Sequence, residues 1–220
     1  MGGPVPKQFL SIGGQPLIVH SLRTLQASPA IDAIVLAVPQ TDIAYCQSDI
    51  IDAHHFTKVI RLVAGGEERQ DSVRNALAVV DEQVEIVVVH DAVRPFLTER
   101  MLEEIVVAAR VNGAAIIALP MRDTVKQVGA DHLIERTVDR RPLWLAQTPQ
   151  AFRREWLQEA HRKAQIEGMV STDDAYLIEW MGRPVMVVEG SGENIKVTRP
   201  EDMVIGEAIL ASRQAAAAKG

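Results

Sequence analysis

The chain is predicted to fold as an α/β domain with a mostly parallel sheet flanked by helices, and three observations carry this. Residues 33–38 (AIVLAV), 59–63, 86–89 and 114–119 (AAIIAL) are short, continuous apolar runs of the kind buried on both faces of a parallel sheet. Amphipathic stretches alternate with them, which implies βαβ units with right-handed crossovers. One run, Val87-Val88-Val89, leads directly into His90-Asp91-Ala92-Val93-Arg94-Pro95. That places an acid and a base at the carboxyl end of a strand, where open α/β sheets bind ligands. An aspartate there suits a divalent metal or a hydroxyl, and an arginine suits a phosphate through its planar fork of donors.

The elements follow in order. Pro16 opens a helix, its missing N–H costing nothing in a first turn, with Leu17, Ile18, Leu22 and Leu25 on one face. Helices are expected at 72–80 and 98–111. In the second, Thr98 is the cap, and Met101, Leu102, Ile105 and Val106 face inward. After Pro120 the pattern changes. Residues 123–127 (DTVKQ) and 133–138 (LIERTV) alternate around Gly129 and read as a hairpin whose faces are not both apolar. From pattern alone this is a solvated excursion. Helices at 155–164 and 173–181, a strand at 185–188 and a closing helix at 201–212 complete the chain, and 215–220 reads as a frayed tail. Ser171-Thr172-Asp173-Asp174 reads as a helix cap. Trp144, Trp156 and Trp180 read as packing groups. His54, His55 and His161 lack metal-ligand spacing and read as surface histidines.

Composition narrows the function. With 220 residues, 47% of them hydrophobic, one substantial core suffices and residues 1–220 are expected to form a single domain. A net charge of −6 argues against a sequence-independent grip on nucleic acid. Cys46 is the sole cysteine, so no internal disulfide can form, and a cytoplasmic location fits. No apolar run approaches the roughly 20 residues that span a bilayer. Yet Lys7, Arg69, Arg94, Arg122, Arg140 and Lys196 all fall in loops or at element ends, as an anion pocket requires. Taken singly, each reads as an ordinary solvated charge.

Together, Pro6-Lys7-Gln8, Gly65-Gly66-Glu67-Glu68-Arg69-Gln70-Asp71-Ser72-Val73, 90–95, Thr137-Val138-Asp139-Arg140, Thr148-Pro149-Gln150 and 194–202 (NIKVTRPED) resemble the 2-C-methyl-D-erythritol 4-phosphate cytidylyltransferases of the non-mevalonate isoprenoid pathway. The likeness runs in order from Pro6 to the closing helix, so it is far more specific than any one motif. It implies a Rossmann-like fold with a protruding β-arm at about 122–140. It also implies a reaction in which CTP and the methylerythritol phosphate give the CDP-alcohol and pyrophosphate. Ribitol 5-phosphate cytidylyltransferase, or a nucleotide-binding homologue with impaired catalysis, is the alternative.

The resemblance also assigns roles. Lys7 would stabilise charge at the α-phosphate, and Arg140 and Lys196 would hold the attacking phosphate. Without it, Lys7 reads as a surface charge, Arg140 as part of a solvated Asp139-Arg140-Arg141 turn, and Lys196 as a side chain snorkelling at a strand end. Gly65, Gly66, Glu67 and Ser72 would form the cytosine loop, although a Gly-Gly pair alone is usually just a turn. Asp91 would lie near the phosphates and Mg²⁺, Arg94 would brace that loop, and Thr148 would contact substrate. Mg²⁺ would be held mainly by CTP phosphates, with Asp91 the one candidate protein ligand. The arm would embrace a second copy, bringing Thr124 and Arg140 to the partner's pocket in a homodimer. The family pattern also has a strand and a Gly-rich loop ahead of the segment at Pro6-Lys7. Because this sequence starts at Met1, either its start is assigned too late or the chain is truncated, and for a real truncation the expectation is a gap in the sheet, weak CTP binding and little activity.

Overall fold

The computed structural model describes residues 6–218. A 3₁₀ turn at Lys7–Phe9 leads into a small hairpin, β1 (Ser11–Ile12) and β2 (Gln15–Pro16), and then α1 (Leu17–Ala27). Strand β3 (Ile34–Val38) pairs in parallel with β4 (Val59–Ala64). Between them, α2 (Ile43–Tyr45) runs on as a π-helical stretch over Cys46–Asp52. The crossover helix α3 (Arg69–Leu77) then leads to β5 (Ile86–Val89). Next come α4 (Glu99–Asn112), β6 (Ala114–Pro120), the hairpin β7 (Val125–Val128) and β8 (Ile134–Val138), and β9 (Trp144–Arg153). Helices α5 (Arg154–Glu167) and α6 (Asp174–Trp180), strand β10 (Met186–Glu189) and α7 (Pro200–Ala217) complete the order.

The main sheet runs β10-β6-β9-β5. Strands β5, β6 and β10 share one direction, and β9 is inserted antiparallel between β6 and β5. Sequence reading missed β9 as a strand for a physical reason. Its middle, Gln147-Thr148-Pro149-Gln150, is polar and holds a proline that cannot donate to a ladder. The structure accommodates this with a register shift, between Ile116 and Ala118 of β6, opposite that stretch. Among the described residues the β3–β4 pair forms no ladder with the main sheet. The strand and Gly-rich loop that the resemblance places before Pro6 fall outside the described residues.

Helices cover both faces of the main sheet. On one, Met101, Leu102, Ile105 and Ala109 of α4 pack on Ala115, Ile117 and Ala151. On the other, Leu157, Ala160, Ala164, Leu177 and Ile178 of α5 and α6 close over Ala114 and Phe152. Thr98 caps α4 through the backbone N–H of Met101, as its position predicts. At the far end Gly113 adopts φ +89° against the ring of Trp156, a conformation and a closeness that only glycine accommodates. Trp156 therefore packs as expected, and arginines 153 and 183 lie over its ring. Trp144 is a correction: it is 42% exposed, next to the hairpin.

Candidate functional site

The cleft beside the carboxyl end of β5 draws on five separate stretches of chain. Asp91 and Arg94 come from the loop after β5, residues 146–148 and Gln150 from β9, Thr172 and Asp173 from the turn before α6, and Lys196 from the loop before α7. Arg69, at the start of α3, completes the lining. Asp91 sits between two cations, with one oxygen 3.0 Å from Arg69 Nε and the other 2.8 Å from Lys196 Nζ. Burial alone would push this carboxyl up, but the two cations outweigh burial and hold it at about 2. Arg69 also donates to Asp174 at 2.7 Å. Burial opposes its charge, yet Asp174 and Asp91 keep the guanidinium above its ordinary range.

Arg94 braces the loop, donating from Nη1 to the Asn194 carbonyl 2.8 Å away. It thereby ties the β5 loop to the segment that carries Lys196. Thr148 has its hydroxyl committed. His90 Nε2 faces the Arg94 carbonyl at 3.1 Å, so that nitrogen must carry the hydrogen, and Nδ1, 3.1 Å from the Thr148 hydroxyl, accepts from it. The same hydroxyl oxygen accepts the Asp91 N–H at 3.0 Å. Thr148 therefore fixes the backbone of Asp91. Burial lowers the His90 pKa to about 4, in keeping with a neutral ring in this role.

Of the predicted site residues, the structure brings Asp91, Arg94, Thr148 and Lys196 together in the cleft. The others lie elsewhere on the chain. Lys7 is half-buried in the first 3₁₀ turn and does not line the cleft. Thr124 and Arg140 belong to the exposed hairpin region, where Arg140 Nη1 donates to the Arg122 carbonyl. The hairpin itself forms, with Val125 paired to Val138. Gly65, Gly66, Glu67 and Ser72 form a loop that folds onto itself: Gly66 N–H donates to the Ser72 hydroxyl at 3.0 Å, and that hydroxyl donates to the Glu68 carbonyl. A side chain at Gly66 would meet Asp71 within 2.1 Å, so the tight approach of loop to helix already requires glycine there.

Sequence reading missed several lining residues. Arg69 stood out as a loop cation but was given no role. Gln147 carries no pattern of its own, while Gln150 appeared only within the Thr148-Pro149-Gln150 motif and Thr172 and Asp173 only as part of a helix cap, none of them with a site role. Asp173 does cap α6, accepting the Tyr176 N–H at 3.0 Å, as expected of that segment, and it also accepts from Gln150 at 2.8 Å. His161 is a correction. It is only 2% exposed and lies 2.9 Å from Asp174, itself 1% exposed. The acid nearest to His161 in sequence, Glu159, is two residues away on the same helix, so spacing gives no hint of a partner on the next helix.

The family model for 2-C-methyl-D-erythritol 4-phosphate cytidylyltransferase (IspD) matches residues 1–212. The enzyme of that name from Syntrophus aciditrophicus is 51% identical over 205 residues, covering 93% of this chain and 88% of the relative. That from Pelotomaculum thermopropionicum is 45% identical, covering 97% and 90%. Among solved structures, the 4-diphosphocytidyl-2C-methyl-D-erythritol synthase of Anaerococcus prevotii superposes with a TM-score of 0.86 at 31% identity, over 96% of this chain and 92% of that one. The cytidylyltransferase of Thermus thermophilus gives 0.80 at 32% identity, over 94% of each chain.

Proposed function

Because the chain belongs to the 2-C-methyl-D-erythritol 4-phosphate cytidylyltransferase family, we propose that it joins CTP to 2-C-methyl-D-erythritol 4-phosphate. A phosphate oxygen of the alcohol attacks the α-phosphorus of CTP, the bond to the β-phosphate breaks, and pyrophosphate leaves with the electron pair. The observation that carries this reading is the cleft at the end of β5, where Arg69, Arg94 and Lys196 all line one pocket and two of them, Arg69 and Lys196, flank Asp91. Nucleotidyl transfer is driven mainly by positioning and by neutralising the crowded phosphate oxygens. A cation-rich cleft with no dedicated nucleophile is what such a reaction needs.

In this reading Lys196 holds the attacking phosphate, and Asp91 keeps its ammonium aimed into the cleft. Lys7 acts at the α-phosphate, the loop of Gly65, Gly66, Glu67 and Ser72 receives the cytosine, and Arg94 braces the floor. Thr148 acts by holding the Asp91 backbone. Thr124 and Arg140 serve the pocket of a second copy in a homodimer built through the arm. The exposed Val128, Leu133 and Ile134 on that hairpin support an apolar contact there. The protein's own donors do not form a metal cage: no group of three His, Cys, Asp or Glu side chains comes together among the described residues, and both Asp91 oxygens are paired with cations. Mg²⁺ then arrives on the triphosphate, as its preference for phosphate oxygens and retained water allows, and no step is assigned to it. No helix among the described residues is long and apolar enough to cross a membrane, and the lone free Cys46 suits a reducing cytoplasm.

The test is pyrophosphate release from CTP and Mg²⁺, with methylerythritol 4-phosphate in one reaction and ribitol 5-phosphate in a parallel one. Release with the first and not the second supports the proposal. Release only with the second, or with neither, contradicts it.

A further inference from the structure

Below the cleft, a line of alternating cations and anions runs inward from Lys196. Lys196 Nζ contacts Asp91, Asp91 contacts Arg69 Nε, Arg69 Nη1 contacts Asp174, and Asp174 accepts from His161 Nε2, at 2.8, 3.0, 2.7 and 2.9 Å in turn. The outer end is wet, with the Lys196 side chain 43% exposed. The inner end is dry, since the Asp174 and His161 side chains are 1% and 2% exposed. Leu157, Ala160 and Ala164 on the same helix as His161 already pack the core.

A buried carboxylate is expensive, and an apolar residue of similar size would serve stability as well or better. What the buried pair does provide is direction. Arg69 bridges two carboxylates with different nitrogens, and its remaining Nη2 is buried without a partner. Asp174 therefore restrains Arg69 from turning its full fork onto Asp91. A bidentate grip there would use both Asp91 oxygens, as Arg–carboxylate pairs favour, and would leave Lys196 without its anchor.

We propose that His161 and Asp174 are positioning residues: lying outside the cleft, they hold Arg69 so that one oxygen of Asp91 stays free to aim Lys196 at the attacking phosphate. The inference rests on the role given to Lys196 above, and it deepens that reading by extending the site two residues into the core.

The experiment compares His161→Leu, His161→Gln and Arg69→Lys with the unaltered protein, measuring KM for each substrate, kcat and thermal unfolding. Glutamine retains an N–H that can reach Asp174, whereas leucine does not. Lysine keeps the charge of a residue only one-third exposed but cannot bridge two carboxylates. Loss of a supporting partner of this kind typically costs about tenfold or more. His161→Leu and Arg69→Lys should therefore raise KM for the polyol phosphate about tenfold, with KM for CTP moved by about twofold or less, and His161→Gln should restore most of the loss. If His161→Leu does not fold, the same split in Arg69→Lys with rescue in His161→Gln carries the proposal. Equal rises in both KM values, or no rise in either altered protein, overturns it. Lys196→Met separates the two claims. If it retains full activity, the reading of Lys196 fails. If it is inactive while His161→Leu and Arg69→Lys are unaffected, only the positioning role fails.

Discussion

At the scale of single residues, the chemistry depends on where hydrogens and charges are fixed. His90 is neutral because burial disfavours its charged form and because Nδ1 must accept from Thr148. Its folded pKa of about 4 lies below the ordinary 6.5. An unfolded chain therefore takes up a proton at His90 before the folded protein does. The stabilisation is complete above about pH 6.5 and declines as pH falls toward 4. Because the residue keeps partial solvent access, the full shift is discounted to roughly 2 kcal/mol. Urea unfolding at pH 7 and pH 4.5 should show that His90→Phe, whatever its absolute stability, loses less on acidification than the unaltered protein by about that amount. Parallel losses would contradict the assignment. Asp91 was legible in the sequence because an acid just after an apolar strand carries pattern, and Lys196 only because its segment matches the family motif. His161 and Asp174 were not, since their pairing across two helices leaves no trace in spacing.

At the scale of elements, apolar periodicity located the strands and helices that pack on both faces, including β5, β6, α4 and α5, to within a few residues. It failed on β9, whose polar centre serves the cleft rather than the core. It also left α2 and its π-helical continuation unassigned, because the apolar Ile43, Ile50 and Ile51 are spread among polar residues. The end of α4 offers a clean test of what the local backbone requires. Gly113 and Gly168 both cap helices at positive φ, but a side chain at Gly113 would run into Trp156 within 2.3 Å, whereas Gly168 faces open space. Gly168→Ala should cost about 1 kcal/mol from backbone strain alone. Gly113→Ala should cost about 2–4 kcal/mol, strain plus overpacking. Equal midpoints in denaturant for the two would show that Trp156 moves away freely and plays no part in holding α5 against α4.

At the scale of the whole molecule, the cleft is built by loops that are far apart in sequence and meet because βαβ crossovers bring strand ends to one side. The main sheet explains the meeting of Asp91, Thr148 and Lys196, and it leaves Arg140 on an exposed arm away from them. One chain on its own thus holds part of the proposed cation set. The family resemblance supplied the idea that a second copy contributes the rest, and nothing in periodicity or composition could have done so, because an arm that docks and an arm that hangs in solvent share the same alternating pattern.

The proposed arrangement, in which cations from two protomers act on one phosphate cluster, can be checked by mixing two inactive proteins, Lys196→Met and Arg140→Ala, after dissociation and reassociation. Each alone should lose about 10²-fold or more in kcat/KM. In a mixed dimer, one pocket pairs an intact Lys196 with an intact Arg140 from the partner and the other pocket lacks both. Random pairing therefore predicts recovery to about a quarter of the unaltered activity. No recovery above the separate variants, with both still folded and dimeric by sedimentation, would contradict it.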